Sequence, residues 1–107
     1  MRIRKEPDEL QDEEVLLTAK VSDALGHPAR VKIFHYIFIN NRNRNRVCNK
    51  DVVNAFDYSQ ATISQHIKKL VQAGLVQVKK EDKFSFYFVN IGMLGKYIDA
   101  VKKFSSD

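Results

Sequence analysis

The chain has 107 residues, enough for one domain with a single core, and a hydrophobic fraction of 44% that argues against wholesale disorder. No apolar run approaches the ~20 residues that span a bilayer. The start turns acidic rather than apolar, unlike a secretory signal, and one cysteine cannot form an internal disulfide, so a cytoplasmic location is expected. The formal charge of +5 is unevenly placed: residues 1–26 carry four basic and seven acidic side chains, residues 27–107 fourteen and six. That balance favours a polyanionic partner, with a merely soluble basic surface as the alternative.

Residues 1–107 read as a single domain without repeats or linker, and about 1–9 and 105–107 are expected to be untethered. From Asp12 to about Leu25 the pattern is helical, with Val15, Leu16, Ala19 and Ala24 along one side. Asp12, Glu13 and Glu14 suit the positive end of its dipole. Gly26-His27-Pro28 breaks the chain, and Pro28 can open a second helix. Val31, Ile33, Phe34, Ile37 and Phe38 give that helix a broad apolar face suited to a core. Asn40-Asn41-Arg42-Asn43-Arg44-Asn45-Arg46 is expected to stop it, because asparagine competes with helical hydrogen bonding. Arg42, Arg44 and Arg46 there offer phosphate contacts or form a solvated loop.

A third, short helix is expected at about Asn49–Phe56, followed by a turn at Asp57-Tyr58. Ser59 to Leu75 is the most informative stretch. Ser59 can cap the otherwise unpaired amides of a new helix, Ile63, Ile67 and Leu70 fall on one buried stripe, and Gly74 suits the left-handed residue after a helix. Gln60, Thr62, Ser64, Gln65, Lys68 and Lys69 lie largely outside the stripe. Two short helices across a tight turn form a helix-turn-helix. Amides, hydroxyls and ammoniums on its outer face can read base edges and hold phosphates of duplex DNA. The glutamines are the better base readers, because an amide donates to and accepts from adenine together. Lys68 suits phosphate, Lys69 less so. The alternative is a solvated helix face.

After Gly74 the period becomes 2. Val76 and Val78 alternate with Gln77 and Lys79, and Phe84, Phe86 and Phe88 with Ser85 and Tyr87, around a polar tip. This is a β-hairpin. The tip lacks an Asn-Gly or Asp-Gly pair, so a looser loop is expected. Lys79, Lys80 and Lys83 flank it and could grip the DNA backbone, opposed by Glu81 and Asp82. Helical spacing returns from Ile91 to Phe104, with Leu94, Tyr97, Ile98 and Val101 on one face. No phosphate-binding glycine loop, nucleophile elbow or paired-carboxylate motif marks an enzyme.

Ala24-Leu25-Gly26-His27-Pro28-Ala29-Arg30-Val31-Lys32-Ile33 resembles the second-helix signature of ArsR/SmtB-type transcriptional repressors. Ser59 to Ile67 resembles their recognition helix, and Ala73-Gly74-Leu75-Val76 their turn into the wing. The resemblance covers roughly residues 12–104. It implies a mainly α winged helix-turn-helix of order α-α-α-α-β-β-α, a homodimer built from the first and last helices, and repression by binding a palindromic operator. Independently, Val15, Leu16 and Ala19 with Leu94, Tyr97, Ile98 and Val101 present more apolar surface than one small core covers, which dimerisation would bury. Packing inside the monomer is the alternative.

The sensor positions depart from the family pattern. Aligning Asp51-Val52 with the Asp-Leu after the family's Cys-x-Cys pair puts Cys48 on the first cysteine and Lys50 on the second. The last helix lacks the histidine and glutamate of a second family metal site. Cys48, His27, His35 and His66 are scattered. His66, at a histidine position common in the family, reads as a support of the recognition helix or a phosphate contact. The expectation is a DNA-binding homodimeric repressor with no metal, no cofactor and no membrane partner. Control through Cys48 or a small ligand, and a winged-helix module that binds protein instead of DNA, stay open.

Overall fold

The computed structural model describes residues 9–105, so residues 1–8, 106 and 107 of the ends expected to be untethered lie outside the described residues. The order is α1 (Asp12–Ala24), α2 (Pro28–Arg42), β1 (Val47–Cys48), α3 (Asn49–Ala55), α4 (Gln60–Gln72), β2 (Val76–Glu81), β3 (Phe84–Val89) and α5 (Ile91–Lys102). The strands form one antiparallel sheet in the order β1-β3-β2. The expected helix order and hairpin are present, with one addition: β1 pairs Val47 with Tyr87 and Cys48 with Phe86.

Helix α2 begins as expected with Pro28 in the first turn, and the structure adds His27 as its cap. It does not stop at Asn40. Asn40 donates its amide back to the Tyr36 carbonyl at 2.9 Å. Asn41 donates to the Tyr87 carbonyl at 3.3 Å and accepts from the Val89 N–H at 2.8 Å, so its side chain serves as a strand edge. The helix then ends by a backbone reversal. Arg44 takes a left-handed φ of 63°, and the N–H groups of Arg44 and Asn45 return to the carbonyls of Asn41 and Asn40. Val31, expected in the apolar face, is 48% exposed instead.

Helix α4 follows the expectation closely. The Ser59 hydroxyl accepts from the Thr62 N–H at 3.1 Å, and Ile63, Ile67 and Leu70 are buried. Gly74 has φ 84°, and the N–H groups of Gly74 and Leu75 close on Val71 and Leu70. A methyl at Gly74 would sit 3.1 Å from the Met93 Cε, so both dihedral and space favour glycine here. The hairpin that follows is tighter than expected: Glu81 pairs with Phe84 across a two-residue turn in which Asp82 carries φ 56°. Aspartate is among the residues that tolerate this conformation.

The core joins Val21, Ala24, Ile33, Phe34, Ile37, Val47, Val52, Ile63, Ile67, Leu70, Leu75, Val76, Tyr87 and Val89. On β3 the buried side is therefore that of Tyr87 and Val89, while Phe84 on the opposite phase is 40% exposed. Helix α5 starts on Asn90, whose side chain accepts from the Met93 N–H, and it packs along α1. Lys103 ties the two ends together, donating to Glu14 at 2.9 Å.

Candidate nucleic-acid interface

Helix α4 is fastened from behind and free in front. Three large side chains pin it: Ile63, Ile67 and Leu70 are each at most 4% exposed, a burial of about 1.5–3 kcal/mol apiece. Gln60, Thr62, Ser64, Gln65, Lys68 and Lys69 are all exposed. Ser59 and Thr62 spend their polar atoms locally, since the Ser59 hydroxyl also donates to Thr62 Oγ1 at 3.0 Å. Among the described residues the side chains of Gln60, Ser64, Gln65, Lys68 and Lys69 make no hydrogen bond or ion pair. Their donors and acceptors face solvent, available to a ligand. The outer face of the segment is free for a ligand, because its fold requirements are met on the buried side.

The hairpin projects beyond it with Lys79, Lys80 and Lys83 exposed around the tip. One contact was not visible in the sequence. Arg46 lies over the Phe86 ring at 3.8 Å from its centroid and pairs with Glu81 at 2.8 Å. Lys79 pairs with the same carboxylate at 3.6 Å. The hydrogen bond from Arg46, more than the other nearby charges, holds the Glu81 carboxyl below the usual glutamate range. Arg46 is thus fixed to the wing. Arg42 and Arg44 sit exposed at the helix end and its left-handed turn.

His66 points away from the reading face. Its ring centroid is 4.7 Å from that of His27 and 6.3 Å from that of Tyr58. Burial first, then the charges of His27 and Arg30, pull its imidazole below the ordinary value of 6.5. It supports α4 from the side. Cys48 is buried at the start of α3, where its N–H donates to the Asp51 carboxylate at 2.9 Å. Among the described residues no three histidine, cysteine, aspartate or glutamate side chains gather as a metal would need. The donor set does not fit a bound metal.

On α1, Val15 and Leu16 are 48% and 73% exposed, and on α5 Ile98 and Val101 are 45% and 38% exposed. Ala19 is also exposed. Leu94 and Tyr97 are half-buried, packing partly against the chain's own core. The reason is the phase of α5, whose buried residue is Ala100. A small side chain carries a weak periodic signal, so this inward face was missed.

Residues 27–78 match the family model of the arsR family of bacterial regulatory proteins. A helix-turn-helix-type transcriptional regulator of Methanocaldococcus jannaschii is 30% identical over 71 residues, covering 66% of this chain and 75% of that protein. This chain belongs to the ArsR family. A cadmium resistance transcriptional regulatory protein CadC homolog of Staphylococcus aureus is 29% identical over 86 residues, 80% of this chain and 68% of that protein. Among solved structures, an ArsR-like transcriptional regulator from a Rhodococcus species superposes with a TM-score of 0.73 at 19% identity, covering 88% of this chain and 84% of the other. The homodimeric winged helix-turn-helix DNA-binding domain of a Mycobacterium bovis protein does so at 0.66 and 15%, covering 100% and 94%.

The fold is therefore the winged helix-turn-helix of the ArsR regulators, with α3 and α4 as the helix-turn-helix and β2–β3 as the wing. Membership places the chain among transcriptional regulators, not catalysts. No described helix is long and apolar enough to cross a membrane.

Proposed function

We propose that this ArsR-family regulator acts in the cytoplasm as a homodimeric repressor that reads a palindromic operator with α4 and needs no bound metal. Gln60 and Gln65 serve base edges, and Ser64, Lys68 and Lys69 the adjoining bases and phosphates. Ser59 and Thr62 shape the helix start that approaches the backbone. Lys79, Lys80 and Lys83 grip phosphate beside the groove. The observation that carries this reading is the α4 outer face, polar, exposed and unspent within the chain.

Dimerisation is supported by the exposed apolar row of Val15, Leu16, Ala19, Ile98 and Val101 on the paired helices α1 and α5, with Leu94 and Tyr97 at its inner edge. A two-fold axis through that row would present two α4 helices to half-sites about one helical turn, or a multiple, apart. With about half of the five named lysines on each protomer meeting phosphate, the salt slope of binding is about −4 to −5. Control through Cys48 is disfavoured by its burial.

Selection of bound duplexes from a random pool, at fixed salt, tests the whole reading. A palindrome is expected. On the selected duplex, Gln65→Ala with Lys68→Ala should weaken binding by about tenfold or more, since one two-point base contact alone is worth about 1–3 kcal/mol. Unchanged affinity in that variant rejects α4 as the reader.

A further inference from the structure

Two imidazoles meet behind α4, His27 at the exposed start of α2 and the half-buried His66 on α4. His27 caps α2: its Nδ1 accepts the Ala29 N–H at 3.0 Å, which requires a lone pair on that nitrogen. His66, on α4, brings its ring to 4.7 Å from the His27 ring, tilted by 50°. His27 is itself exposed and His66 half-buried, and the other groups placed beside the pair are uncharged or cationic. Tyr58, in the turn before α4, stands edge-on to His66. Arg30, on α2, donates its Nε to the Ala24 carbonyl at 2.6 Å and adds positive charge beside the pair. Asp23 at the end of α1 and Asp57 in the turn are exposed, and neither makes a hydrogen bond or ion pair with either ring.

A proton here works against the contacts that hold the two rings. On His27 it would turn the accepting Nδ1 into a donor facing the Ala29 N–H, at the positive end of a 15-residue helix. On either ring it would set a cation against its neighbour and Arg30. The ring contact of α4 with the start of α2 would be replaced by repulsion.

We propose that His27 and His66 form an acid-sensitive latch: unprotonated, they hold α4 against the start of α2, and a proton on either one loosens α4 and releases DNA. Burial of His66 acts in the same direction, because it favours the neutral ring. The latch deepens the DNA-reading proposal by giving that helix a regulator, and it rests on that reading for its effect on DNA.

The test uses the full chain at constant ionic strength and two readouts. One is the affinity for the selected duplex at pH 7.5 and pH 5.5. The other, without DNA, is the NMR titration of the α4 amides and histidine rings over the same range, where imidazoles change charge. His27→Asn keeps a capping acceptor and removes the proton site. His66→Gln removes the second site. His35, exposed on α2, supplies the control His35→Gln.

The wild-type protein should lose about tenfold in affinity between pH 7.5 and pH 5.5. His35→Gln should do the same. His27→Asn should at least halve that loss on a logarithmic scale, and the double variant should show about threefold or less. In the DNA-free protein the α4 amides should move with the ring signals of His27 and His66. Full acid sensitivity in both His27→Asn and the double variant overturns the latch, as do α4 amides that stay still while the rings titrate. Failure to bind any duplex at pH 7.5 would sink the DNA reading alone, and the amide titration would still decide the latch.

Discussion

The reading helix and the wing both present lysines to solvent, but they handle their charge in opposite ways. On α4 the burial is done by Ile63, Ile67 and Leu70, and the polar face owes nothing to the fold. On the hairpin, Glu81 engages Arg46 and Lys79, and Arg46 also covers Phe86. A helix anchored by apolar contacts can spend every outward donor on a ligand. A two-stranded projection has little core of its own, so part of its charge goes into holding its shape. In the proposed complex, sequence discrimination would fall to the helix, and the wing would add a screened attraction to phosphate.

The sharpest way to break this contrast is to remove an anchor. Ile67→Ala should cost about 2–5 kcal/mol of stability, as truncation of a buried isoleucine does. Urea unfolding followed by circular dichroism measures the loss, and duplex binding should fall even where the chain is still folded. A stability change below about 1 kcal/mol would mean that α4 is not held by its stripe.

A smaller effect sharpens the wing side. Glu81→Gln frees Arg46 and Lys79 from their shared carboxylate. Affinity should rise a few-fold, with the salt slope steeper by about one charge and the preferred sequence unchanged. A changed sequence preference would give the wing a base-reading role.

The smallest effect separates the two regions by pH. In the folded chain His66 takes up its proton less readily than an ordinary imidazole, so the unfolded chain binds more protons and stability falls as pH drops below about 6.5. Glu81, held below the ordinary 4.5 by Arg46, contributes stability that is present above that value and is lost as pH falls further. Urea midpoints measured from pH 7.5 to 3.5 should show a first decline that is smaller in His66→Gln and a second that is smaller in Glu81→Gln.

Much of this was legible in the chain because the signals are local. Ser59, the Ile63-Ile67-Leu70 spacing and Gly74 fall within 16 residues and need no distant partner, so the reading helix could be drawn to its ends. The misses share the opposite character. Asn40 and Asn41 look like helix breakers until Asn41 finds the backbone of Tyr87 and Val89, 46 and 48 positions away. The two residues of β1 have no period to detect and exist only because β3 lies alongside. The Arg46–Glu81 pair spans 35 positions, and the His27–His66 contact 39. Gly-His-Pro does mark the break before α2, yet nothing near it announces the second ring.

Between reader and wing the backbone turns at Gly74, with Met93 of α5 crowding the spot where any larger residue would place its first carbon. The angle between helix and hairpin is thus set at a corner whose left-handed backbone strains any side chain. Descendants of this protein can follow a drifting operator by exchanging the side chains on the outer face. They cannot easily follow one whose groove geometry has changed.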